Sequence, residues 1–248
     1  MGFTVNYKDK ARLKVFDDKA RLAESFTSYF IEKINSSIER RKDFNVALSG
    51  GSTPSRIYAY MKENLEILPS MHHVHFFWGD ERAVPPENQE SNFGNAWRDI
   101  LRFLEMPEEN IHRIKAEEDP GIECRRYSNE LTRLPLQNEL PFFDLIILGI
   151  GEDGHTASIF PDRMDLLTAE SLVEVAKHPG SGQLRFTFTG PVLNNAGEII
   201  FLATGKSKRK VIGDIFSDHP DAAKYPAYHI WPEFGSIKWY VDREAGEL

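Results

Sequence analysis

The chain has 248 residues, 41% of them hydrophobic, and a formal net charge of −8. This length supports a sizeable core in one α/β domain, expected over residues 1–248, whereas the acidic balance disfavours general nucleic-acid binding, which usually needs a basic face. The single cysteine, Cys124, excludes an intrachain disulfide and any metal site built on several thiolates.

The apolar pattern predicts strands that alternate with helices. Short apolar runs and longer amphipathic stretches follow one another, as in βα units around a mostly parallel sheet. In chain order, the predicted strands are 13–16, 44–48, 74–78, 143–148, 184–189 and 198–203. The predicted helices are 18–41, one starting at 54, 91–104, 121–134 and 206–216. The tail at 237–241 is predicted to be an edge strand.

Glycine-rich turns follow four of these strands, at residues 50, 79, 149 and 205. In an open α/β sheet, ligands bind outside the carboxyl ends of the strands. We therefore expect the four turns to lie along one edge of the sheet and to contribute to a single functional site.

The first turn is Gly50-Gly51-Ser52-Thr53, directly before Pro54. Its two glycines allow the backbone to approach a ligand closely, and the free N–H groups at a helix start attract an anion. The same residues also suit an ordinary turn, with Thr53 as the N-cap and Pro54 as the first helical residue. Both interpretations remain open from the sequence.

The second turn places charged side chains directly after a strand, at Asp80 and Arg82. A guanidinium group is a planar clamp for phosphate or carboxylate, so Arg82 is a candidate anion ligand. A solvated loop with an internal ion pair would have the same sequence. Arg185, on a predicted strand, is a candidate for the same pocket or for a surface role.

The third turn carries His155, two residues after Asp153 and close to the end of the clearest central strand. A neutral imidazole can take a proton from water at about pH 7, and a nearby carboxylate can orient the ring and stabilise imidazolium. This setting makes His155 the candidate general base, although a single histidine is more often a surface or core residue.

The same loop matches a dinucleotide-binding fingerprint, Gly149-x-Gly151-x-x-Gly154. In that motif a helix begins at the loop and holds the pyrophosphate. Here Pro161 interrupts the helix that should follow, and Asp153 places a carboxylate where the pyrophosphate would lie. The sequence therefore disfavours a nucleotide site.

The fourth turn leads into four cations within residues 206–210, at the start of a predicted helix. Cations at this position oppose the helix dipole. For Lys206, next to the glycine turn, we favour binding to an anion. For Lys208, Arg209 and Lys210 we favour long side chains that extend into water.

Together these segments resemble the 6-phosphogluconolactonase family. The matching segments, in the order found in the family, are 47–54, 78–82, 91–92, 148–161 and 204–206, with a similar ending at 239–242. The most specific is 148–161, which reads Leu-Gly-Ile-Gly-Glu-Asp-Gly-His-Thr-Ala-Ser-Ile-Phe-Pro.

The resemblance implies hydrolysis of 6-phospho-D-glucono-1,5-lactone to 6-phospho-D-gluconate, in the oxidative pentose phosphate pathway. It also implies a Rossmann-like, mostly parallel sheet with helices on both faces, and no nucleotide. The chemistry requires no cofactor or metal, although the sequence leaves open a metal held by Asp80, Asp153 and His155. By similarity, His155 would be the general base that activates water, with Asp153 as its helper. The residues expected to bind substrate are Gly50, Gly51, Ser52, Thr53, Asp80, Arg82, Arg185 and Lys206.

Two alternatives belong to other functional classes. Glucosamine-6-phosphate deaminases resemble this chain, but they typically have Asp-Glu-Tyr at the position of 80–82 and a segment containing Asn-Glu-Pro after the histidine. Here that segment is 158–161, Ser-Ile-Phe-Pro, without the carboxylate needed for ring opening. The other alternative is a non-catalytic sugar-phosphate sensor, which usually adds a DNA-binding domain that is not evident here.

The expected partner is thus a small phosphorylated sugar lactone rather than a nucleic acid or a membrane. No stretch reaches the ~18 apolar residues of a membrane span, and residues 1–8 lack the apolar core of a signal peptide. We therefore expect a cytoplasmic protein. The sequence leaves its oligomeric state open between monomer and dimer.

Overall fold

The computed structural model describes residues 11–247, so the segment 1–8 discussed above lies outside the described part. A central sheet of seven strands has only parallel neighbours, which confirms the predicted sheet. In spatial order, with numbers that follow the chain, the strands are β1 (Arg12–Phe16), β12 (Ser236–Asp242), β11 (Glu198–Ala203), β8 (Leu145–Leu148), β2 (Phe44–Leu48), β3 (Val74–Trp78) and β5 (Ile111–His112).

A smaller antiparallel sheet stands beside the central one, in the order β4, β10, β9. These strands are β4 (Asp80–Arg82), β9 (Val173–Lys177) and β10 (Leu184–Phe188), and a separate two-stranded ladder joins β6 (Leu136–Gln137) to β7 (Leu140–Pro141). The strand predicted at 184–189 therefore forms, but in this second sheet. Its partner β4 is only three residues long and wholly charged, so no apolar pattern marks it.

The predicted edge position of the tail is wrong. β12 lies between β11 and β1, and it pairs in parallel with both. Trp239, Tyr240 and Val241 are each 0% exposed. The strand is apolar because both of its faces are covered, and β1 is the edge strand instead.

Helices flank the central sheet, as predicted. They are α1 (Lys19–Glu39), α2 (Ser52–Glu63), α3 (Asn92–Asp99), α4 (Pro120–Leu131), α5 (Gly190–Leu193), α6 (Arg209–Phe216) and α7 (Arg243–Gly246). Side-chain oxygens of Asp18, Ser91 and Asp119 accept the first free N–H groups of α1, α3 and α4. None of the helices within 11–247 is long and apolar enough to span a bilayer.

Two predicted helix boundaries are corrected. Helix α2 begins at Ser52 with Gly51 as its N-cap (φ 107°), so Thr53 lies inside the helix and is not the cap. The Thr53 hydroxyl does not cap the helix and lies 3.0 Å from the Thr204 hydroxyl. Helix α3 ends at Asp99 rather than continuing to 104, because Ile100 leaves the helical region (φ −144°) before a short 3₁₀ turn.

Candidate active site

The carboxyl ends of the central strands border a cleft of about 180 Å³. The turns after β2 and β8 supply its floor, and the second sheet and the segment before α6 supply its walls. Seven polar or charged side chains line it: Ser49, Asp80, Arg82, Asn92, His155, Arg185 and Lys208. The expectation that the glycine turns meet at one edge of the sheet is therefore confirmed for the first and third turns.

The strand geometry of the second sheet determines which charged side chains face the cleft. Side chains alternate between the two faces of a strand, so Asp80 and Arg82 share one face of β4 and Glu81 takes the other. Arg82 lies directly opposite Arg185 in the antiparallel ladder, which places both guanidinium groups on the cleft side. This pairing brings together two cations that are 103 residues apart in sequence (185 − 82).

The two arginines have unused hydrogen-bonding capacity. The Nε atoms of Arg82 and Arg185 are buried and have no partner among residues 11–247. Burial, and then the charge of Arg82, lowers the pKa of Arg185. Like charges directly opposite one another destabilise a sheet, so an anion in the cleft would relieve both the repulsion and the missing hydrogen bonds.

Glu81 faces away from the cleft and fixes the wall behind it. Its carboxylate accepts the N–H groups of Arg82 (2.8 Å), Asn92 (2.7 Å) and Phe93 (2.8 Å) and the hydroxyl of Ser91 (3.1 Å). Burial raises the pKa of Glu81 to about 7, against these donors, which favour the ionised form. The result is a rigid joint between β4 and the start of α3.

His155 lies in a tight loop after β8, where it pairs with Asp153. The His155 Nδ1 atom is 2.6 Å from Asp153 Oδ1, which also accepts the His155 backbone N–H at 3.1 Å. Burial raises the pKa of Asp153, but the hydrogen bond and charge of His155 outweigh it and hold the pKa at about 2. An ionised carboxylate can only accept, so Nδ1 carries the proton and Nε2 keeps its lone pair.

Gly151 makes room for this pair. A Cβ atom at this position would lie 2.1 Å from His155 Nδ1 and 2.3 Å from Asp153 Oδ1. The loop closes through the Gly151 N–H, which donates to the His155 carbonyl at 2.8 Å. Residues Pro161–Leu167 then form a 3₁₀ segment, so no α-helix begins at this loop and the dinucleotide motif is not completed.

The structure separates the predicted site residues into two groups. Gly50, Gly51, Asp80, Arg82, His155 and Arg185 line the cleft. Asp153 reaches it through His155, whereas Ser52, Thr53 and Lys206 do not line it, and both Ser52 and Lys206 are exposed.

Lys208 and Asn92 are two of the cleft residues that the sequence did not predict as site residues. Lys208, the last residue of the 3₁₀ turn Lys206–Lys208, lines the cleft although its sequence favoured a solvated side chain. Asn92 lies in the matching segment 91–92, without a predicted role of its own. A buried asparagine at a helix start has the sequence signature of a cap, so only the tertiary contact with β4 distinguishes it.

The fold and the cleft define an α/β protein with a histidine–carboxylate pair beside a cationic wall. Residues 17–239 match the model of the family described as glucosamine-6-phosphate isomerases/6-phosphogluconolactonase. The chain belongs to this family.

Individual relatives agree with the family assignment. The chain is 38% identical over 240 residues to a 6-phosphogluconolactonase of Synechocystis, covering 95% of this chain and 97% of the relative. It is 38% identical over 205 residues to one of Haemophilus influenzae, covering 82% and 87%. The crystal structure of a 6-phosphogluconolactonase from Thermotoga maritima is similar, with a TM-score of 0.81, 28% identity and coverage of 94% and 100%.

Proposed function

We propose that the chain hydrolyses 6-phospho-D-glucono-1,5-lactone to 6-phospho-D-gluconate, as a lactone hydrolase of the oxidative pentose phosphate pathway. The observation that carries the proposal is one small cleft that contains both a base and a cationic wall able to bind an anion. His155 is oriented by Asp153, and Arg82 and Arg185, whose buried Nε atoms have no partner among the described residues, line the same space. The names of the relatives point to the same reaction.

In this mechanism His155 Nε2 takes one proton from a water molecule while the water oxygen adds to the lactone carbonyl carbon. Collapse of the tetrahedral intermediate breaks the bond to the ring oxygen. The imidazolium returns its proton to that oxygen, which becomes a hydroxyl group. A lactone is already an activated ester, so a positioned water, one base and stabilisation of the oxyanion suffice.

The charged residues take separate roles in this proposal. Arg82 and Arg185 hold the phosphate, and their grip orients the ring for attack. Lys208 supplies the ammonium group in place of Lys206, since Lys208 lines the cleft. The backbone of Gly50 and Gly51 lies beside the reacting group and favours the developing negative charge.

The deaminase alternative lacks support at the segment after the histidine. Ser158, Ile159 and Phe160 are each 0% exposed, and the Ser158 hydroxyl donates to Asp80 at 2.9 Å. No carboxylate from this segment reaches the cleft. The segment therefore supports the lactonase proposal.

The proposal is tested by acid release from freshly made 6-phosphogluconolactone, corrected for spontaneous hydrolysis. General-base catalysis raises a reaction rate by about 100- to 10,000-fold, so His155→Ala should lower kcat by that factor. His72→Ala, which changes an exposed histidine remote from the cleft, should leave kcat unchanged. Equal rates for wild type and His155→Ala would refute the mechanism, and ammonia release from glucosamine 6-phosphate would favour the deaminase.

A further inference from the structure

Asn92, the first residue of α3, is held in one orientation. It is 2% exposed, and its backbone N–H donates to Glu81. Its Nδ2 atom donates to the Asp80 carbonyl oxygen at 2.9 Å and lies 3.4 Å from Asp80 Oδ1. A flipped amide would turn an oxygen toward these two acceptors, so the arrangement fixes Nδ2 against Asp80 and turns Oδ1 the other way.

The Oδ1 atom of Asn92 is buried and has no hydrogen-bond partner within the described part of the chain. It lies directly over Gly50, because a Cβ built on Gly50 would be 1.7 Å from it. Both residues line the cleft. Buried side-chain oxygens in folded proteins nearly always have a partner, so an acceptor fixed here without one indicates a ligand that donates.

The chemistry of the cleft separates donors from acceptors. Arg82, Arg185 and Lys208 only donate, so they suit phosphate and carbonyl oxygens. Asn92 Oδ1 only accepts, and the neighbouring Asp80 carboxylate repels anions. This side of the cleft therefore suits a neutral group with a proton to donate, which on a sugar lactone is a ring hydroxyl.

We propose that Asn92 is a specificity-determining residue that accepts a hydrogen bond from one ring hydroxyl of the substrate. The inference rests on the proposed function and deepens it, because it limits the substrates to hydroxylated ring lactones. A substrate without that hydroxyl leaves Oδ1 buried and unpaired. Sites built to bond a hydroxyl reject analogues that lack it.

The test compares four freshly made substrates: the parent 6-phosphogluconolactone and its 2-deoxy, 3-deoxy and 4-deoxy forms. With wild type, we expect kcat/KM for one deoxy form to be lower by about 10- to 100-fold than for the parent, the cost of one buried acceptor left unpaired. Asn92→Ala should lower kcat/KM on the parent by a similar factor. It should cause little further loss on that one deoxy form, since the hydrogen bond is already absent.

Asn95→Ala is the matched control. Asn95 lies one turn further along α3, bonds the Gln89 carbonyl oxygen and Arg98, and does not line the cleft. It should leave the ranking of the four substrates unchanged. Thermal unfolding of both variants separates loss of the fold from loss of recognition.

Each outcome has a defined meaning. If Asn92→Ala lowers kcat/KM by one common factor on all four substrates, the residue only supports the structure, and the inference fails while the proposed function stands. If no deoxy form is disfavoured by wild type, the inference fails without any variant. If wild type does not hydrolyse the parent lactone above background, the proposed function fails, and the inference fails with it.

Discussion

The Asp153 carboxylate decides which nitrogen of His155 can act as a base. Because its pKa is held at about 2, Asp153 stays ionised throughout the range in which a histidine titrates. Its pKa lies below that of an unfolded aspartate, so its contribution to stability is present above about pH 4 and is lost as the pH falls toward 2. Asp153 therefore does not change its charge near neutral pH.

The room around this pair gives a prediction for single residues. Gly151→Ala would place a Cβ against both His155 and Asp153, so we expect kcat to fall by about 10-fold or more as the base is displaced. Gly149→Ala is the control, because the nearest atom to its Cβ would be the Ser49 hydroxyl oxygen at an ordinary 3.9 Å. Equal kcat values for the two variants in the lactonase assay would contradict the prediction.

Single residues also show where the sequence was insufficient. Gly50, Arg82 and His155 each follow a recognisable strand in the sequence, and all three line the cleft. The sequence favoured Lys206 over Lys208 because the direction of a side chain in a 3₁₀ turn depends on packing that the local pattern does not encode.

At the scale of elements, strands of the central sheet were predictable because both of their faces are buried. β2, β8 and β11 are buried along their whole length, and such strands appear in the sequence as continuous apolar runs. β4 was not predictable, since Asp80, Glu81 and Arg82 form a strand only by pairing with β10 about a hundred residues later. That pairing also creates the arginine wall of the cleft.

A chain of titratable groups joins three other elements, next to a larger cavity of about 620 Å³ away from the cleft. His75 Nδ1 on β3 is 3.0 Å from His112 Nε2 on β5, and His112 Nδ1 is 2.8 Å from Glu130 Oε1 on α4. With Glu130 ionised, His112 donates to it and accepts from His75. Protonation of the two rings then adds a proton at His75 Nε2, which lies 4.0 Å from Asp43 Oδ2.

The interaction of His75 with His112 and Glu130 predicts how the stability of the protein depends on pH. Burial, followed by the charge of His112, lowers the pKa of His75 despite the opposing effect of Asp43. The unfolded chain then binds the proton more tightly, so the contribution is complete above about pH 6.5 and decreases as the pH falls further. We expect the free energy of unfolding to decrease less between about pH 7 and pH 5.5 in His75→Gln than in wild type.

Denaturant titrations at several pH values measure this difference. His72→Gln is the control, because His72 is exposed and its ring nitrogen lies 3.0 Å from the Ser70 hydroxyl, outside the chain of groups. It should retain the pH dependence of wild type. An unchanged pH dependence in His75→Gln would show that the folded protein does not disfavour the proton on His75.

For the whole molecule, the position of β12 makes the end of the chain essential to the fold. β12 separates β11 from β1, so its removal exposes the edge of β11 and leaves β1 with no partner in the described sheet. We expect a chain ending at residue 235 to lose its cooperative unfolding transition, as followed by circular dichroism.

Removal of residues 247 and 248 is the matched control for this truncation. It deletes the exposed Glu247, whose ion pair with Arg209 is of the surface type that contributes about 0 to 1 kcal/mol. This shorter chain should unfold cooperatively, near the denaturant midpoint of wild type. A cooperative transition in the chain that ends at 235 would show that β12 is dispensable.

The pairing of β1 with β12 has a consequence for biosynthesis. Lys14 on β1 donates to the Tyr240 hydroxyl, across a sequence separation of 226 residues. At a translation rate of about 5–20 residues per second, the ribosome needs on the order of 10 to 50 s to make the partner of the first strand. Throughout that time β1 lacks its partner strand, and unpaired strand edges favour aggregation during folding.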